Sequence, residues 1–383
     1  MDSPKPLLII SDSISCSSGL GRIARDLATR IHENMSDVYR VATAGYGGSG
    51  SSRFPFKEYH FHSVENWLLP ELPQIAQDFA GGEELILMWI WDLSRVYWVG
   101  NPQQCQMPHL NDWLSKANIK KWIYHPIDAD GPQGRLSVRL ADTMKHFDRV
   151  LDYSAFSSRV TGNPDHLPHG IDASVFRPYD RRESKRRFRE LGFQSLQDTD
   201  FLVGVVGTNQ ARKDWALAVQ TVRTLLDRGH DVKLWCHVDQ LERFWSLPNL
   251  IADYGLAGRV VITNANFTDE QMAQFYSACD VFLSIGLGEG FGFGQYEALA
   301  CGVPVVAGDY CGSEWLPPGM KVEPVAYRYE GPYCCKRPVY DPKDWADLAE
   351  DQRGMIASLP SELDWNGPTL WPAWEKWFLK GIE

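Results

Sequence analysis

Residues 281–308 contain an apolar run, a glycine-rich turn, a short helical stretch and a second apolar run, and this order constrains the fold most. The apolar runs are 281–283 and 304–307, and glycines stand at 290, 292 and 294. A strand, turn, helix and strand in this order form one unit of a parallel α/β sheet. Because the start of a helix exposes unpaired N–H groups and a partial positive charge, the turn also predicts an anion site.

Two carboxylates belong to this unit. Glu289 and Glu297 are separated by seven residues, the first in the turn and the second in the helical stretch. Amides that hold phosphates and carboxylates that hold sugar hydroxyls together suit a nucleotide-sugar. A generic glycine-rich turn is the competing interpretation, and the coincidence of spacing, small residues and trailing strand argues against it.

The same βα order recurs along the chain. Short apolar runs of the buried-strand type predict strands at 6–11, 39–43, 85–91, 121–124, 149–151, 201–206, 232–236 and 259–262. Helical patterns begin near Ile23, Trp215 and Thr268, the last of which has capping-box spacing. Helices that alternate with strands predict α/β domains with doubly wound parallel sheets. With 383 residues, the chain is long enough for two such domains.

Composition excludes several classes of protein. The formal net charge of −11 disfavours a dedicated nucleic-acid binder, since phosphate contacts dominate that affinity. No segment reaches the roughly 20 apolar residues that cross a bilayer, and the N-terminus does not resemble a signal peptide. Three of the eight cysteines, at 236, 279 and 301, lie in or beside apolar elements, which predicts buried thiols. We therefore expect a reduced, cytoplasmic protein without stable nucleic-acid or transmembrane association.

Tryptophan is abundant, with 15 residues, and six lie in the first third of the chain at 67, 89, 91, 98, 113 and 122. Sugar rings stack on such side chains, so a carbohydrate acceptor is one interpretation. Aromatic mass in the core is the other, and it is favoured for any single tryptophan.

Glu289, Glu297 and the following segment 298–306 resemble the E-x7-E signature of retaining glycosyltransferases of the GT-B fold, closest to glycosyltransferase family four. The segment 167–178 resembles the inter-domain linker of that family, with His169 replacing its asparagine. The resemblance implies two Rossmann-like domains facing each other across a cleft. It implies an acceptor domain at 1–172, a donor domain at 173–364, and a terminal helix at 365–383 that crosses back to the first domain.

The resemblance also implies roles for individual residues. Glu289 would hold sugar hydroxyls, Glu297 the ribose, and His125 would lie close to the transferred sugar. Backbone amides of Gly290, Phe291 and Gly292 would face the diphosphate, the loop with Gly19 and Gly21 would cover it, and the loop with Asn264 would hold the nucleobase. The expected reaction retains the anomeric configuration and needs no metal or other cofactor.

Basic residues follow the strand at 201–206. The family pattern places an arginine and a lysine on the phosphates; Lys213 keeps the lysine position, whereas Thr208 replaces the arginine. Arg212 is the candidate to supply the lost charge, although its neighbouring position directs it elsewhere unless the turn has an unusual shape.

Other functions stay open from sequence alone. Residues 19–24 fit a G-x-G-x-x-A dinucleotide fingerprint, but residues 12–18 separate it from the strand that it should follow directly. A non-catalytic nucleotide-sugar binder, or a sugar-nucleotide epimerase or phosphorylase of the same fold, is also compatible with the sequence. We expect a UDP- or GDP-sugar donor, an acceptor that the sequence does not identify, and no metal at the D-x-D stretch 128–130.

Overall fold

The computed structural model describes residues 3–16, 18–48, 53–62, 67–198 and 201–382. The chain divides into two compact units, Met1–Leu167 and Pro168–Glu383. The division falls at the start of the segment 167–178, which resembles an inter-domain linker. The sequence placed the domain boundary at residue 172, a few residues later.

The first unit contains a six-stranded parallel sheet in the order β3-β2-β1-β4-β5-β6. Its strands are β1 Lys5–Asp12, β2 Tyr39–Tyr46, β3 Lys57–His60, β4 Leu85–Trp89, β5 Ile119–His125 and β6 Arg149–Asp152. Its helices are α1 Gly19–Asn34, α2 Leu72–Ala80, α3 Pro108–Leu114, α4 Val138–Met144 and α5 Ala155–Thr161. The strand order reverses between β1 and β4, which makes this the point where such sheets bind ligands.

The second unit contains another six-stranded parallel sheet, in the order β12-β11-β10-β7-β8-β9. Its strands are β7 Phe201–Gly207, β8 Val232–Val238, β9 Val260–Thr263, β10 Val281–Ser284, β11 Val305–Gly308 and β12 Lys321–Val322. Strands β13 Ala326–Glu330 and β14 Cys335–Val339 form a separate antiparallel hairpin. The helices are α6 Arg181–Glu190, α7 Trp215–Asp227, α8 Leu247–Asp253, α9 Asp269–Ala278, α10 Phe293–Ala300, α11 Pro342–Gln352 and α12 Leu370–Leu379.

Local sequence explains why the helices begin where they do. The Ser18 hydroxyl accepts a hydrogen bond from the Gly21 amide and caps α1. Thr268 and Gln271 form the predicted capping box of α9, each side chain bonding the other's backbone. The apolar faces of α7 and α11 pack with β7, β8 and β10 into one continuous core.

The predicted doubly wound α/β fold class is confirmed, and the strands named from the sequence are all present. Three features were not predicted: the edge strands β3 and β12, and the β13–β14 hairpin. These strands are polar or only two residues long, so they lack the apolar run by which buried strands are recognised.

Cysteines and tryptophans occupy the core largely as composition suggested. Cys236, Cys279 and Cys301 are free and buried, and burial raises the pKa of the Cys236 thiol to about 12. Trp89, Trp91, Trp98 and Trp122 are at most 2% exposed, so these four are core residues. Trp67 and Trp113 are only partly buried.

The last helix, α12, contacts the start of its own unit. The Trp374 indole N–H donates to the Pro168 carbonyl at 2.9 Å. A side chain at Gly170 would collide with Leu370 and Trp365. The helix begins at Leu370 rather than near residue 365, and its predicted return to the first domain stays a prediction.

Candidate functional site

The glycine-rich turn lies at the carboxyl end of β10 and leads into α10. It comprises residues 285–292, with Glu289 in the turn and Glu297 in the second turn of the helix. The carboxyl ends of parallel strands are where α/β sheets bind ligands, so this position suits a binding loop.

A second loop, between β7 and α7, is joined to this turn through the backbone. Lys213 and Gly286 form an isolated antiparallel bridge. The Leu287 amide donates to the Arg212 carbonyl at 2.8 Å, and the Asp214 amide donates to the Ile285 carbonyl at 3.0 Å. These bonds fix residues 212–214 against residues 285–287 and therefore bring two loops that are distant in the chain into one site.

Glu289 is held between two cations. One carboxylate oxygen pairs with Arg212 Nη1 at 2.9 Å and the other with Lys213 Nζ. Arg212 Nη1 also donates to the Gly288 carbonyl at 3.0 Å. Burial opposes ionisation of Glu289, but the charges of Arg212 and Lys213 outweigh it and hold its pKa at about 2. Glu289 is therefore an anion at neutral pH.

The position of Arg212 follows from the turn. Adjacent side chains in a regular strand point to opposite faces, but the backbone at Arg212 and Lys213 is bridged to the turn outside any named strand. Both side chains consequently reach the same carboxylate. Thr208, at the position of the missing arginine, is exposed.

The N-terminus of α10 is open to an anion. Its N-cap residue is Gly292, at φ 90°, and the helix has neither a capping side chain nor an acidic residue in its first turn. The backbone amides around Gly290 and Gly292 are thus placed where the helix contributes partial positive charge.

Close backbone packing between Gly312 and residues 289–291 supports the glycine-rich turn. The Gly312 amide donates to the Glu289 carbonyl at 2.9 Å. A Cβ atom at Gly312 would lie 2.5 Å from the Phe291 carbonyl oxygen, so only glycine fits. The Phe291 side chain is buried against His169, Tyr296 and Trp315, with ring centroids 3.9, 4.8 and 5.6 Å away. Phe291 can therefore offer a ligand only its backbone.

Glu297 is 4% exposed and accepts a hydrogen bond from the Tyr276 hydroxyl at 2.6 Å. Tyr276 anchors this carboxylate to α9, a partner that the sequence did not reveal. The expected contact of Glu297 with a ribose stays a prediction.

Asn264 is exposed in the loop that follows β9. Beside this loop, the His237 ring stacks on Phe267 at 4.5 Å, and His237 Nδ1 lies 2.8 Å from the Thr263 hydroxyl. Burial lowers the pKa of His237 to about 4, so this ring is neutral at neutral pH. Neither ring belongs to a motif, and sequence reasoning missed both.

In the first unit, His125 and Asp152 form a buried pair. They end neighbouring strands β5 and β6, and His125 Nε2 lies 3.0 Å from Asp152 Oδ1. Asp152 Oδ2 accepts from the Thr161 hydroxyl at 2.6 Å. Asp152 was not predicted, although it follows an apolar run next to the strand of His125, and that register would have found it.

Gly19 and Gly21 lie in the first turn of α1 rather than in a loop before it. A Cβ atom at Gly21 would be 2.3 Å from the Ser13 carbonyl oxygen, so glycine allows the helix to pack on the chain that leaves β1. This contact explains Gly21 structurally; its role with a donor stays a prediction.

Neither a metal-binding cluster nor a membrane-spanning helix occurs in the described parts of the chain. Among those residues, no group of three or more His, Cys, Asp or Glu side chains is arranged to hold a metal ion. Nor does any helix in the same ranges have the length and apolar character needed to cross a membrane.

Comparison with known proteins identifies a shared family segment. Residues 157–314 match the family model described as glycosyl transferases group 1. The chain is 28% identical over 276 residues to a D-inositol 3-phosphate glycosyltransferase of Frankia alni, covering 66% of this chain and 65% of that protein. It is 32% identical over 172 residues to the lipopolysaccharide core biosynthesis mannosyltransferase LpsB of Rhizobium meliloti, covering 43% and 46%. The chain thus spans less than two thirds of the length of these relatives.

Solved structures agree over nearly the whole chain. Sucrose-phosphate synthase from Thermosynechococcus elongatus superposes with a TM-score of 0.67 at 15% identity and covers 99% of this chain and 100% of that one. HepE of Anabaena, in complex with UDP-glucose, gives 0.63 at 14% identity and covers 90% and 89%. At these identities the likeness establishes a common fold.

Proposed function

We propose that the chain is a group 1 glycosyl transferase with the GT-B fold, and that it moves a sugar from a nucleotide-diphosphate sugar to an acceptor with retention at the anomeric carbon. The family match over residues 157–314 and the fold shared with solved structures support this proposal. The transfer is metal-independent and takes place in the cytoplasm. The cysteines at 16, 105, 236, 279, 301 and 334 are free thiols, as expected in a reducing compartment.

One observation carries the proposal: Glu289 is ionised between Arg212 and Lys213 at the N-terminus of α10. A diphosphate brings more negative charge than one carboxylate, and both cations have donors suited to phosphate oxygens. On donor binding, Arg212 and Lys213 turn to the diphosphate, and Glu289 becomes available to accept hydrogen bonds from the sugar hydroxyls.

The same groups stabilise the departing nucleoside diphosphate. As the bond between the anomeric carbon and the phosphate oxygen breaks, negative charge grows on that oxygen. Lys213, Arg212 and the amides around Gly290, Phe291 and Gly292 offset this charge, which is the kind of electrostatic contribution that often dominates catalysis. These cations supply the charge that a divalent metal supplies elsewhere.

Retention follows when the acceptor attacks from the same face as the departing diphosphate. Glu289 is a poor nucleophile for the competing route, a covalent glycosyl-enzyme, because two cations hold its pKa at about 2. In this mechanism His125 helps to position the sugar and acceptor, with the Asp152 carboxylate 3.0 Å from its Nε2. Glu297 holds the ribose, the loop with Asn264 holds the base, and Gly19 and Gly21 cover the diphosphate.

We favour a UDP-sugar donor, since HepE was solved with UDP-glucose, and a GDP-sugar is the other candidate. A thermal-shift panel of UDP-, GDP- and ADP-sugars in EDTA tests this directly, because a ligand that binds only the folded protein raises its melting temperature. Candidate acceptors are then added, and NMR of the product gives its anomeric configuration.

The outcomes separate the proposal from its rivals. We expect nucleoside diphosphate to be released only when acceptor is present. We also expect the product to retain the anomeric configuration of the donor sugar. Binding without turnover would identify a non-catalytic binder. Conversion of the nucleotide-sugar without acceptor would identify an epimerase, and a requirement for inorganic phosphate would identify a phosphorylase.

A further inference from the structure

The sheet of the first unit has a switch point in its strand order, which is where sheets of this kind bind ligands. Its strand order reverses between β1 and β4, and α/β sheets bind ligands outside the carboxyl ends of the strands at such a point. Asp12 is the last residue of β1, and Trp91 and Arg95 follow β4.

Among the described residues, the contacts of the Asp12 carboxylate are made through one of its oxygens. Asp12 Oδ1 accepts from Trp91 Nε1 at 3.1 Å and from Arg95 Nη1 at 3.0 Å. Within the described parts of the chain, no side chain or amide bonds Oδ2. The carboxylate is thus fixed in direction and keeps one oxygen for a ligand.

A strained tryptophan stands beside this carboxylate. Trp67 has a φ of 64°, a region that bulky side chains rarely adopt. Its carbonyl accepts from Trp98 Nε1 at 3.1 Å, and the Arg95 guanidinium lies 4.3 Å from its ring centroid. Backbone strain of this kind persists where the surroundings enforce it, and it recurs at binding sites.

The indole of Trp67 remains available to a ligand. Trp91 and Tyr46 meet it in edge-to-face geometry at 5.8 and 6.4 Å, and Trp67 itself is only partly buried. Tyr46, at 40% exposure, extends the aromatic surface toward solvent. An aromatic ring beside a carboxylate and a guanidinium suits a sugar: the C–H face packs on the indole, and the hydroxyls donate to the carboxylate.

The charge of the cluster favours an uncharged sugar. Arg95 pairs with Asp12 and also with Asp92, whose Oδ2 lies 3.5 Å from Arg95 Nε. Two carboxylates thus surround one guanidinium, and a phosphate on the ligand would meet net negative charge. Relatives of this chain are named for D-inositol 3-phosphate, a charged molecule that this arrangement of charges would disfavour.

We propose that Asp12, Trp67 and Arg95 form an acceptor subsite for the ring of an uncharged glycoside. This proposal rests on the proposed function, which it deepens by naming the class of acceptor. Oδ2 of Asp12 accepts from one or two ring hydroxyls, Arg95 donates to a sugar oxygen, and Trp67 packs against the apolar face of the ring.

Saturation-transfer-difference NMR tests the subsite with UDP present. The probes are the methyl glycosides of α-glucose, α-mannose and β-galactose, and glucose 6-phosphate is the charged comparison. Asp12→Asn keeps an oxygen for Trp91 and Arg95 but replaces the free oxygen with an amide. Trp67→Gly removes the indole, and glycine adopts a positive φ without strain. Trp113→Ala, a partly buried tryptophan of the same unit, is the matched control.

We expect at least one neutral glycoside to give a signal with the wild type and with Trp113→Ala. That signal should fall at least fivefold in Asp12→Asn and in Trp67→Gly, and glucose 6-phosphate should give a weaker one. The proposal is overturned if no neutral glycoside binds, if neither variant weakens binding, or if glucose 6-phosphate binds better.

A thermal shift with UDP-glucose on the same samples keeps the two proposals distinguishable. A donor shift retained by the variants shows that they fold, and Asp12→Asn alone decides the question if Trp67→Gly does not fold. If the wild type gives no donor shift, the proposed function fails, whereas the NMR result still decides whether the subsite binds sugar.

Discussion

Replacing Glu289 by glutamine separates the structural role of this residue from its role in transfer. The substitution keeps the size of the side chain and removes the charge that Arg212 and Lys213 stabilise. The pKa of Glu289 falls from 4.5 to about 2 on folding, and at about 1.4 kcal/mol per pKa unit this corresponds to about 3 kcal/mol of stability at neutral pH.

Because folding lowers the pKa of Glu289, this group makes the stability of the protein fall as the pH is lowered. A carboxyl group whose pKa is lowered by folding contributes stability above its unfolded pKa and loses that contribution as pH falls through the folded value. The wild type should therefore lose stability between about pH 4.5 and pH 2 through this group. Glu289→Gln should lack that part of the acid dependence. At pH 7 it should melt about 6–12 °C lower, given about 2–4 °C per kcal/mol for a domain of this size.

The Glu289→Gln substitution should impair transfer of the sugar without weakening the binding of UDP. Without the carboxylate, Arg212 and Lys213 lose one internal competitor of the diphosphate, so the Kd for UDP should stay equal or decrease. Transfer should fall about 10²–10³-fold, the usual cost of losing one hydrogen-bonding group at a reacting centre. Calorimetric titration with UDP and a nucleotide-release assay measure the two effects. Glu362→Gln, an exposed position in the same unit, is the control. Normal transfer by Glu289→Gln, or loss of its UDP binding, would refute the reasoning.

Three further substitutions test other parts of the site. Lys213→Met should raise the Kd for UDP about 10–100-fold, because a charge-assisted hydrogen bond contributes about 1.5–3 kcal/mol; calorimetry measures the Kd, and an unchanged value would show that Lys213 does not bind the diphosphate. Gly312→Ala should lower the melting temperature and abolish the donor shift, whereas Gly319→Ala, where a Cβ atom meets nothing within 4 Å, should change neither. Asp152→Asn should reduce kcat about 10–100-fold with donor binding intact, because His125 loses the negative charge beside its ring; a wild-type kcat would argue against a role for this pair.

Local patterns were sufficient to predict the sheets. The buried strands are apolar runs of four to eight residues, and the turn before α10 has its glycines and both glutamates within a single stretch of sequence. The capping box of α9 is likewise encoded within four residues. Such features depend on neighbours in sequence and can therefore be recognised without the fold.

The contacts that define the site depend on the fold and could not be predicted in this way. Glu289 pairs with cations some 76 positions away, and the backbone bonds that join residues 212–214 to residues 285–287 bring them together. The sequence leaves the direction of the Arg212 side chain open, and the shape of its turn directs this side chain to the Glu289 carboxylate. The strained backbone of Trp67 has no sequence motif, because side chains from elsewhere in the unit determine it.

The central claim is that the loops at 207–213 and 285–292 hold the diphosphate of a nucleotide-sugar without a metal. Calorimetric titration of the wild type with UDP, GDP and ADP in EDTA tests it most directly. We expect saturable binding of at least one of these nucleotides in EDTA, and we expect Lys213→Met to weaken that binding at least tenfold. No binding of any of the three, or binding that appears only when a divalent metal is added, would contradict it.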